Sequence, residues 1–401
     1  MIAAFLLPFP FRGTPAPYLW VYYRLLAMGD APMAFILGAD YLRPTGDWAE
    51  AGRWEMAPDH QARLGYRIPE PGSIDRHAHC ILPQRLFTDL LASSRGNHIE
   101  AFRRLIRERL PDFEAAFADL LGALRPEAVL TWCNCASLSA AASRLGIPVL
   151  HLELGPLRAP AFRATAYLDF SGVNGGTEAE ARFRANAGFR PEVTREALWR
   201  FFHTGAPLPE ASAAFDTGVV FQVEDDSNLL AFSHGYDNQS LYARNRLLDP
   251  AGRLLLRPHP GSLFELKPVA GYEIDRSPDS LVFLRRCRQV ATINSSVGLE
   301  ALLLGMPVAV MGDCSYRHIA DATDAREQVA MLAHYLFAYL VPEHLIFDAD
   351  YLRFRLGRPG DDAIVHRHLC AYGVALPAHR EGDSAACLSA RLATPACDQG
   401  G

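Results

Sequence analysis

The sequence predicts an α/β protein with two domains, and three observations support this fold class. Short apolar runs alternate with helical patterns twice along the chain, which is typical of parallel sheets covered by helices. The 401 residues are enough for two hydrophobic cores. Polar residues collect where the later apolar runs end, and parallel sheets bind ligands at that edge. We therefore expect two α/β domains that face each other across a cleft.

The first alternating pattern occupies the N-terminal part of the chain. The predicted strands are "IAAFLLPF", "PMAFILGAD", "EAVLTW" and "IPVLHLELG". Predicted helices include "PYLWVYYRLLAMG", "IEAFRRLIRERLPDFEAAFADLLGAL" and "ASLSAAASRLG", and Gly146 is placed to end the last of these. We assign residues 1–215 to an N-terminal domain.

The second alternating pattern follows "TGAPLPEASAAFDTG", which we interpret as the interdomain connection. The predicted strands are "VVFQV", "RLLLRP", "QVATI" and "PVAVMG", and the helices between them are "NQSLYARNRLL", "DSLVFLRRCR" and "VGLEALLLG". We assign residues 216–323 to a C-terminal domain and residues 324–379 to helices that pack back across the domains. Residues 380–401 are predicted to be a tail or linker.

Composition argues against several classes of protein. The net charge of -6 gives no general field that would attract nucleic acid, so we expect small-molecule partners. The eight cysteines lack a repeated CxxC spacing, which predicts reduced and mostly buried thiols of a cytoplasmic protein. No apolar run reaches the roughly 18 residues of a membrane-spanning helix. The segment "MLAHYLFAYLVPEHLIF" is predicted to be a core helix, and contact with a membrane surface is left open.

Polar side chains follow two strands of the predicted C-terminal domain. His259 follows the strand "RLLLR" in sequence. Asn294, Ser295 and Ser296 follow the strand "QVATI" and lie at the start of a predicted helix. Free backbone N–H groups and hydroxyls at a helix start favour phosphate binding, and Glu300 is placed to accept hydrogen bonds from ribose. The candidate nucleotide-binding residues are Arg257, His259, Asn294, Ser295, Ser296, Gly298 and Glu300. The alternative is a simple serine N-cap beside a loop histidine.

The motifs in this region resemble those of bacterial β-Kdo transferases of capsule and O-antigen synthesis. They are "RPHP", "TINSSVGLEALLLGMPVAVMGDCSYRHIADAT", "FQVEDDSNL" and "ELGPLRAP…DFSGVN", which span about residues 150–325. The first 150 residues match in pattern only. The resemblance implies the GT-B fold, with two Rossmann-like domains facing across a cleft. It also implies retaining transfer of Kdo from CMP-Kdo without a metal, with the donor in the C-terminal domain and the acceptor mostly on the N-terminal domain.

The same resemblance implies catalytic roles for three residues. Asp226 stands where the family has its nucleophile, with Asp225 as the main rival, although adjacent carboxylates are also typical of a solvated turn. Glu153 matches an E-x-G element and is expected to take the acceptor's proton. The alternative for Glu153 is a strand-end residue paired with Arg158. His259 is expected to stabilise the leaving phosphate. The candidate substrate-binding residues are Arg158, Gln222, Asp225, Asn228 and Tyr316.

Two histidine pairs with alternating spacing are weaker candidates for function. They are His77 with His79 and His366 with His368, and neither is accompanied in sequence by a set of carboxylates or cysteines. We therefore expect surface histidines and no metal.

Three functions remain open from the sequence. The leading hypothesis is a cytoplasmic Kdo transferase that uses CMP-Kdo and a glycan or glycolipid acceptor, without a cofactor and without nucleic acid. The alternatives are a CMP-sialic acid or other nucleotide-sugar transferase of the same fold, and a non-catalytic glycan-binding module. Peripheral membrane association and a place within a larger polysaccharide-assembly protein are also left open.

Overall fold

The fold is described by a computed structural model. It covers residues 1–29, 32–70, 72–186, 188–203, 212–262, 265–266, 271–376 and 384–393. Its internal contacts divide the chain into two compact units. Unit 1 comprises residues 1–153, 168–173 and 344–358, and unit 2 comprises residues 154–167, 174–343 and 359–401. Residues 204–211 of the predicted interdomain connection lie outside the described residues.

The strands form two sheets. They are β1 (Ile2–Phe5), β2 (Ala34–Leu37), β3 (Ala78–Ile81), β4 (Ala128–Thr131), β5 (Val149–Leu154), β6 (Thr165–Asp169), β7 (Phe215–Val220), β8 (Leu254–Arg257), β9 (Tyr272–Ile274), β10 (Cys287–Thr292), β11 (Val308–Val310) and β12 (Val341–Pro342). The first sheet has the order β12-β6-β5-β4-β1-β2-β3, and the second has the order β11-β10-β7-β8-β9. Strands β1 to β4 pair in parallel, whereas β12 pairs antiparallel with β6. All the pairings of the second sheet are parallel.

Helices connect most of these strands. They are α1 (Leu19–Leu26), α2 (Thr45–Glu50), α3 (Pro58–Leu64), α4 (Gln84–Ser93), α5 (His98–Arg107), α6 (Pro111–Leu124), α7 (Ala136–Arg144), α8 (Ala179–Ala185), α9 (Arg195–Phe202), α10 (Ser227–Phe232), α11 (Asn238–Leu248), α12 (Ser280–Arg285), α13 (Val297–Leu303), α14 (Arg317–Ala320), α15 (Ala325–His334), α16 (Ala349–Leu356), α17 (Asp361–Ala371) and α18 (Ser384–Ala393). Short 3-10 helices lie at Ala39–Leu42, Trp54–Met56, Ile74–Arg76 and Glu343–Phe347, and a π-helical turn lies at Tyr335–Tyr339.

The core of unit 1 is rich in phenylalanine. Phe5 at the end of β1 meets Phe117 of α6 edge to face, with ring centroids 5.2 Å apart. Phe9, four residues after the end of β1, stacks on Phe87 with ring centroids 5.3 Å apart. A Cβ atom built on Gly38 would lie only 1.9 Å from the carbonyl oxygen of Pro8, so the backbone after β2 packs directly on the backbone after β1. The segments that follow β1 and β2 therefore pack closely against each other and against the core of unit 1.

The core of unit 2 covers both faces of its parallel sheet. Leu255, Val290 and Phe283 belong to one buried cluster, whereas Leu256 and Ala291 belong to another. Burial on both faces explains why these strands are continuous apolar runs in the sequence. The predicted fold class is thus confirmed: the protein is α/β, with parallel strands in both sheets.

The division into units differs from the predicted boundary between residues 215 and 216. Residues 154–167 and 174–215 fall in unit 2, and residues 344–358 return to unit 1. Contacts of α9 explain part of the difference, because this helix packs against α13 and α18. Its first residue, Arg195, donates a hydrogen bond to the Gln328 side chain at 2.7 Å.

Part of the predicted tail is also helical. Helix α18 packs against α9 and α17, and its Leu388 is fully buried. The Ser389 hydroxyl accepts a hydrogen bond from the backbone N–H of Glu192 at 2.8 Å. The prediction of a tail or linker over residues 380–401 is therefore wrong for residues 384–393, since an amphipathic helix of ten residues finds a partner surface there.

The predicted surface position is wrong for one histidine in particular. His368 is fully buried and its Nδ1 atom lies 2.8 Å from the carbonyl oxygen of Phe337. His77, His79 and His366 are half-buried, and His79 forms a hydrogen bond with the Tyr22 hydroxyl at 2.8 Å. In the described ranges, no group of three or more His, Cys, Asp or Glu side chains is placed to hold a metal ion.

The apolar segment near residue 335 lies in the core, as predicted. Leu336, Phe337 and Ala338 are fully buried in the π-helical turn. Among the helices that the structure describes, none has both the length and the apolar character needed to cross a membrane.

Candidate active site

The candidate site in unit 2 is built on three neighbouring strand ends. Strand β7 lies between β8 and β10, so the segments that follow these three strands emerge side by side. They carry Asp226 after β7, His259 after β8 and the pair Ser295 and Ser296 after β10. The sequence prediction that polar residues follow the strands "RLLLR" and "QVATI" at one sheet edge agrees with this order.

A pair of amides joins the segments after β7 and β10. The Gln222 side chain donates from Nε2 to Asn294 Oδ1 at 2.8 Å, and its Oε1 accepts from the Asn294 backbone N–H at 3.1 Å. Asn294 Nδ2 in turn donates to the carbonyl oxygens of Asn228 and Asp313, at 3.1 and 3.2 Å. Both side chains are buried, and protein groups already satisfy their amides. These two predicted ligand residues therefore position the loops.

A second network holds the segment after β8. The Glu224 carboxylate accepts hydrogen bonds from the hydroxyl of Ser262 at 2.8 Å and from Asn238 Nδ2 at 3.3 Å. The Ser262 backbone N–H also donates to the carbonyl oxygen of His259 at 2.9 Å, which closes a turn. Glu224, which directly precedes Asp225 and Asp226 in sequence, thus fixes the turn that carries His259.

This turn also decides which nitrogen of His259 carries the proton. The Gly261 backbone N–H donates to His259 Nδ1 at 3.0 Å, so in the neutral ring the hydrogen sits on Nε2. Desolvation by the neighbouring protein lowers the pKa of His259, and the positive charges of Arg158 and Arg257 act in the same direction, while Asp226 and Glu224 oppose them. His259 therefore presents a neutral N–H donor at the exposed side of the turn.

Asp226 caps the short helix α10. Its Oδ1 accepts a hydrogen bond from the backbone N–H of Asn228 at 2.9 Å. The carboxylate is half-buried, and its charge reaches His259 on the neighbouring strand end. Asp225 is also half-buried. This hydrogen bond fixes the orientation of the Asp226 carboxylate, and Asn228 takes part in it through its backbone N–H.

The serine pair after β10 has two different environments. The Ser295 hydroxyl accepts a weak hydrogen bond from the Val297 backbone N–H at 3.4 Å, and the Ser295 carbonyl oxygen accepts one from the Tyr316 hydroxyl. Ser296 is exposed at the N-cap of α13, and its hydroxyl makes no capping hydrogen bond. Ser296 therefore has a hydroxyl that the helix does not use.

Gly298 and Tyr316 have packing roles. The Tyr316 ring is buried, and a Cβ atom at residue 298 would lie 2.4 Å from its hydroxyl oxygen. Glycine at this position lets the tyrosine reach Ser295. The structure thus shows a packing contact between these two residues, and their predicted roles at the nucleotide and the substrate stay predictions.

Glu300 and Arg257 are held by groups that sequence reasoning missed. The buried Glu300 carboxylate accepts a hydrogen bond from the Ser280 hydroxyl, and burial raises its pKa to about 7 despite the opposing charges of Arg257 and Arg158. Arg257 forms an ion pair with Asp275, whose side chain is fully buried. No periodicity or motif marks Ser280 or Asp275, because each partner lies about twenty residues away in sequence.

Arg158 has an exposed side chain. Its Nε donates to the carbonyl oxygen of Gly155 at 3.2 Å. Its charge acts on both His259 and Glu300, which places the guanidinium in unit 2 near the strand ends. Glu153 belongs to unit 1, half-buried at the C-terminal part of β5, where its charge contributes to raising the pKa of the buried Cys133.

Comparison with protein families identifies the class of protein. Residues 271–340 match the family model described as capsule polysaccharide biosynthesis protein, and residues 4–178 match the model of the glycosyltransferase 99 family N-terminal domain. The protein is therefore a glycosyltransferase of capsule polysaccharide synthesis. The first 150 residues, which resembled the family in pattern only, lie largely within the glycosyltransferase 99 match.

Solved structures give more distant likenesses. The β-Kdo 2,7 transferase of Thermosulfurimonas dismutans KpsC is 20% identical, covering 57% of this chain and 82% of that chain with a TM-score of 0.42. The β-Kdo 2,4 transferase of the same KpsC is 17% identical, covering 52% and 79% with a TM-score of 0.35. UDP-GlcNAc 2-epimerase of Methanocaldococcus jannaschii is 12% identical, covering 83% and 92% with a TM-score of 0.32. A search of curated protein sequences gives no match.

Proposed function

We propose that this glycosyltransferase moves Kdo from CMP-Kdo to a sugar acceptor of a surface polysaccharide, with retention of configuration. The proposal rests on one observation: the segments that follow three neighbouring strands, β10, β7 and β8, emerge side by side in unit 2. They bring together a neutral N–H donor on His259, an unused hydroxyl on Ser296 and a fixed carboxylate on Asp226. The motifs that resemble β-Kdo transferases lie on these same segments.

The first half of the proposed reaction releases CMP. The Asp226 carboxylate attacks the anomeric carbon of Kdo, and the bond from that carbon to the CMP phosphate oxygen breaks with its electron pair. His259 Nε2–H and the Ser296 hydroxyl donate hydrogen bonds to the phosphate as its charge grows. The exposed guanidinium of Arg158 is suited to the Kdo carboxylate, because arginine binds carboxylates through two parallel hydrogen bonds. Glu300 is assigned to a ribose hydroxyl.

The second half transfers the sugar. An acceptor hydroxyl attacks the same carbon from the side that CMP has left, and the bond to Asp226 breaks, so two inversions give net retention. We assign Glu153 as the base that takes the hydroxyl proton. The reaction is placed in the cytoplasm, where an activated sugar nucleotide is available, and it uses no metal or other cofactor.

Replacing Asp226 by asparagine tests the proposal. Asparagine is as good an N-cap as aspartate, so Asp226→Asn retains the cap of α10 and removes only the nucleophile. We expect CMP release from CMP-Kdo to fall at least about a thousandfold while CMP affinity is kept. Intact-protein mass spectrometry of the native enzyme with CMP-Kdo should show a Kdo adduct that this variant lacks.

The matched comparison is Asp225→Asn, which changes the rival carboxylate and should keep the Kdo adduct that Asp226→Asn lacks. Full activity of Asp226→Asn would remove Asp226 from the mechanism. CMP release from CMP-sialic acid but not from CMP-Kdo would assign another donor, and glycan binding without release of any nucleotide would favour a binding module.

A further inference from the structure

A polar pocket in unit 2 is lined by none of the residues assigned to the candidate active site. Its volume is about 740 Å³, and its lining residues lie between Gly176 and Arg190 and between Asp313 and Met331. The second of these segments contains the turn after β11, helix α14 and the start of α15. Strand β11, which precedes the second segment, is an edge strand of the second sheet, and no residue of β7 or β8 lines the pocket.

One buried atom of this pocket has no partner. His318 lines the pocket with only 9% of its surface exposed, and its Nε2 atom has no hydrogen-bond partner in the described part of the chain. Desolvation lowers the pKa of His318 to about 4, and the charges of His334 and Arg184 act in the same direction, so the ring is neutral at pH 7. The His318 ring also forms a hydrogen bond with the backbone of Ser315. Leaving a buried polar atom unpaired is unfavourable, and a hydrogen bond from a ligand would remove that cost.

The charged side chains around the pocket largely neutralise one another. The guanidinium groups are those of Arg184, Arg190 and Arg317, and the carboxylates are those of Glu180, Asp313, Asp321 and Glu327. Arg184 pairs with Glu180, and Arg317 lies 3.3 Å from Asp321. Asp313 accepts a hydrogen bond from the Gly176 backbone N–H at 2.8 Å. With opposite charges paired in this way, the pocket has no strong net field to hold a phosphate or a polyamine.

The pocket instead offers hydrogen-bond donors and acceptors close together. Guanidinium groups only donate, carboxylates only accept, and each sugar hydroxyl does both. The volume is in the range of small-ligand pockets, about 300–1,000 Å³. We propose that this pocket binds an uncharged, polyhydroxylated saccharide unit, separate from the donor site. This second sugar site is independent of which nucleotide sugar the enzyme uses.

The experiment measures saccharide binding to the full chain with CMP at saturating concentration. Saturation-transfer difference NMR would be recorded with N-acetylglucosamine, galactose, mannose and rhamnose. We expect saturable binding of at least one sugar, weakened about fivefold or more by Arg184→Gln and by Glu327→Gln, which alter exposed side chains of the pocket. The control Arg326→Gln changes an exposed arginine of α15 outside the pocket and should leave the binding unchanged.

His318→Phe removes the unpaired Nε2 acceptor while nearly keeping the shape of the ring, so it should also weaken saccharide binding. An unaltered midpoint of urea unfolding would show that this variant is folded. Absence of saturable binding by all four sugars would overturn the proposal. So would stronger binding of inorganic phosphate or spermidine, or equal weakening by Arg326→Gln. Because the assay follows binding without turnover, an enzyme that fails to use CMP-Kdo would contradict the proposed function and leave this test intact.

Discussion

The strand ends of the two units put the same architecture to different uses. In unit 1, the segments after β1 and β2 are packed tightly, with Phe5, Phe9 and Pro8 in buried or close backbone contact. In unit 2, the segments after β7, β8 and β10 carry carboxylates, an imidazole and hydroxyls held by hydrogen bonds. Parallel sheets of similar construction therefore differ in chemistry because of the few residues that follow each strand.

This difference shows that polar segments after a strand are held in place by additional hydrogen bonds between neighbouring loops. The side chains of Gln222, Asn294 and Glu224 form hydrogen bonds with neighbouring loops, and these bonds support the segments that carry Asp226 and His259. In unit 1 apolar packing gives the same rigidity. Four substitutions would break or sharpen this comparison.

The largest expected effect is loss of packing in unit 1. Phe117 is fully buried against Phe5 and Phe113, so Phe117→Ala should lower the free energy of unfolding by about 3–5 kcal/mol in urea denaturation. Ile99→Ala, at an exposed position of α5, serves as the control and should cost less than about 1 kcal/mol. Equal losses for the two variants would contradict the assignment of this region to packing.

A pH-dependent effect is expected from Glu300. Its pKa is about 7 in the folded protein and 4.5 ordinarily, so the folded state holds the proton more tightly. Its contribution to stability is complete below pH 4.5 and is lost as the pH rises to about 7. The loss is on the order of 3 kcal/mol, from 1.36 kcal/mol for each unit of pKa difference.

Glu300→Gln should remove this dependence. Urea unfolding of the ligand-free protein at pH 5 and pH 8 would measure it as the difference between the native protein and the variant. Taking the difference cancels the opposite trend expected from His318, whose pKa is lowered. A difference that is the same at both pH values would show that Glu300 is ionised throughout.

A smaller effect is expected from the contact between Gly298 and Tyr316. Gly298→Ala should lower the free energy of unfolding by about 1–3 kcal/mol, because the new Cβ meets the tyrosine hydroxyl at 2.4 Å. In a Tyr316→Phe background the same change should cost less, since the hydroxyl is gone. A double-mutant cycle measures the coupling, and simple additivity would argue against the contact.

The smallest effect on stability is expected at Ser296. Its hydroxyl makes no capping bond, so Ser296→Ala should change the free energy of unfolding by no more than about 0.5 kcal/mol while weakening CMP binding. Thr194→Ala provides the contrast, because Thr194 accepts from the Ala197 backbone N–H at 3.1 Å and its loss should cost about 1 kcal/mol. An unchanged CMP affinity in Ser296→Ala would exclude its hydroxyl from the phosphate site.

Much of the fold of unit 2 could be predicted from sequence, because β7, β8 and β10 are apolar runs followed by polar residues. The supporting contacts could not. Gln222 and Asn294 are 72 residues apart, and no periodicity links them. Gly298 and Asn294 are predicted to bind a nucleotide because they lie in the motif, and the structure adds packing and loop-supporting contacts that the motif does not indicate. Helix α18 was also missed, since its ten residues indicate a helix only once α9 and α17 provide a surface.

Unit 1 is completed by a segment that the chain supplies late. Phe347 stacks on Trp132 at 5.8 Å and lies under the guanidinium of Arg24 at 4.0 Å, and all three residues belong to unit 1. During synthesis on the ribosome, the aromatic cluster of unit 1 therefore cannot form until Phe347 has been added to the chain. A fragment ending at residue 178, where the first family match stops, would leave both tryptophans of that cluster, Trp20 and Trp132, without their cover.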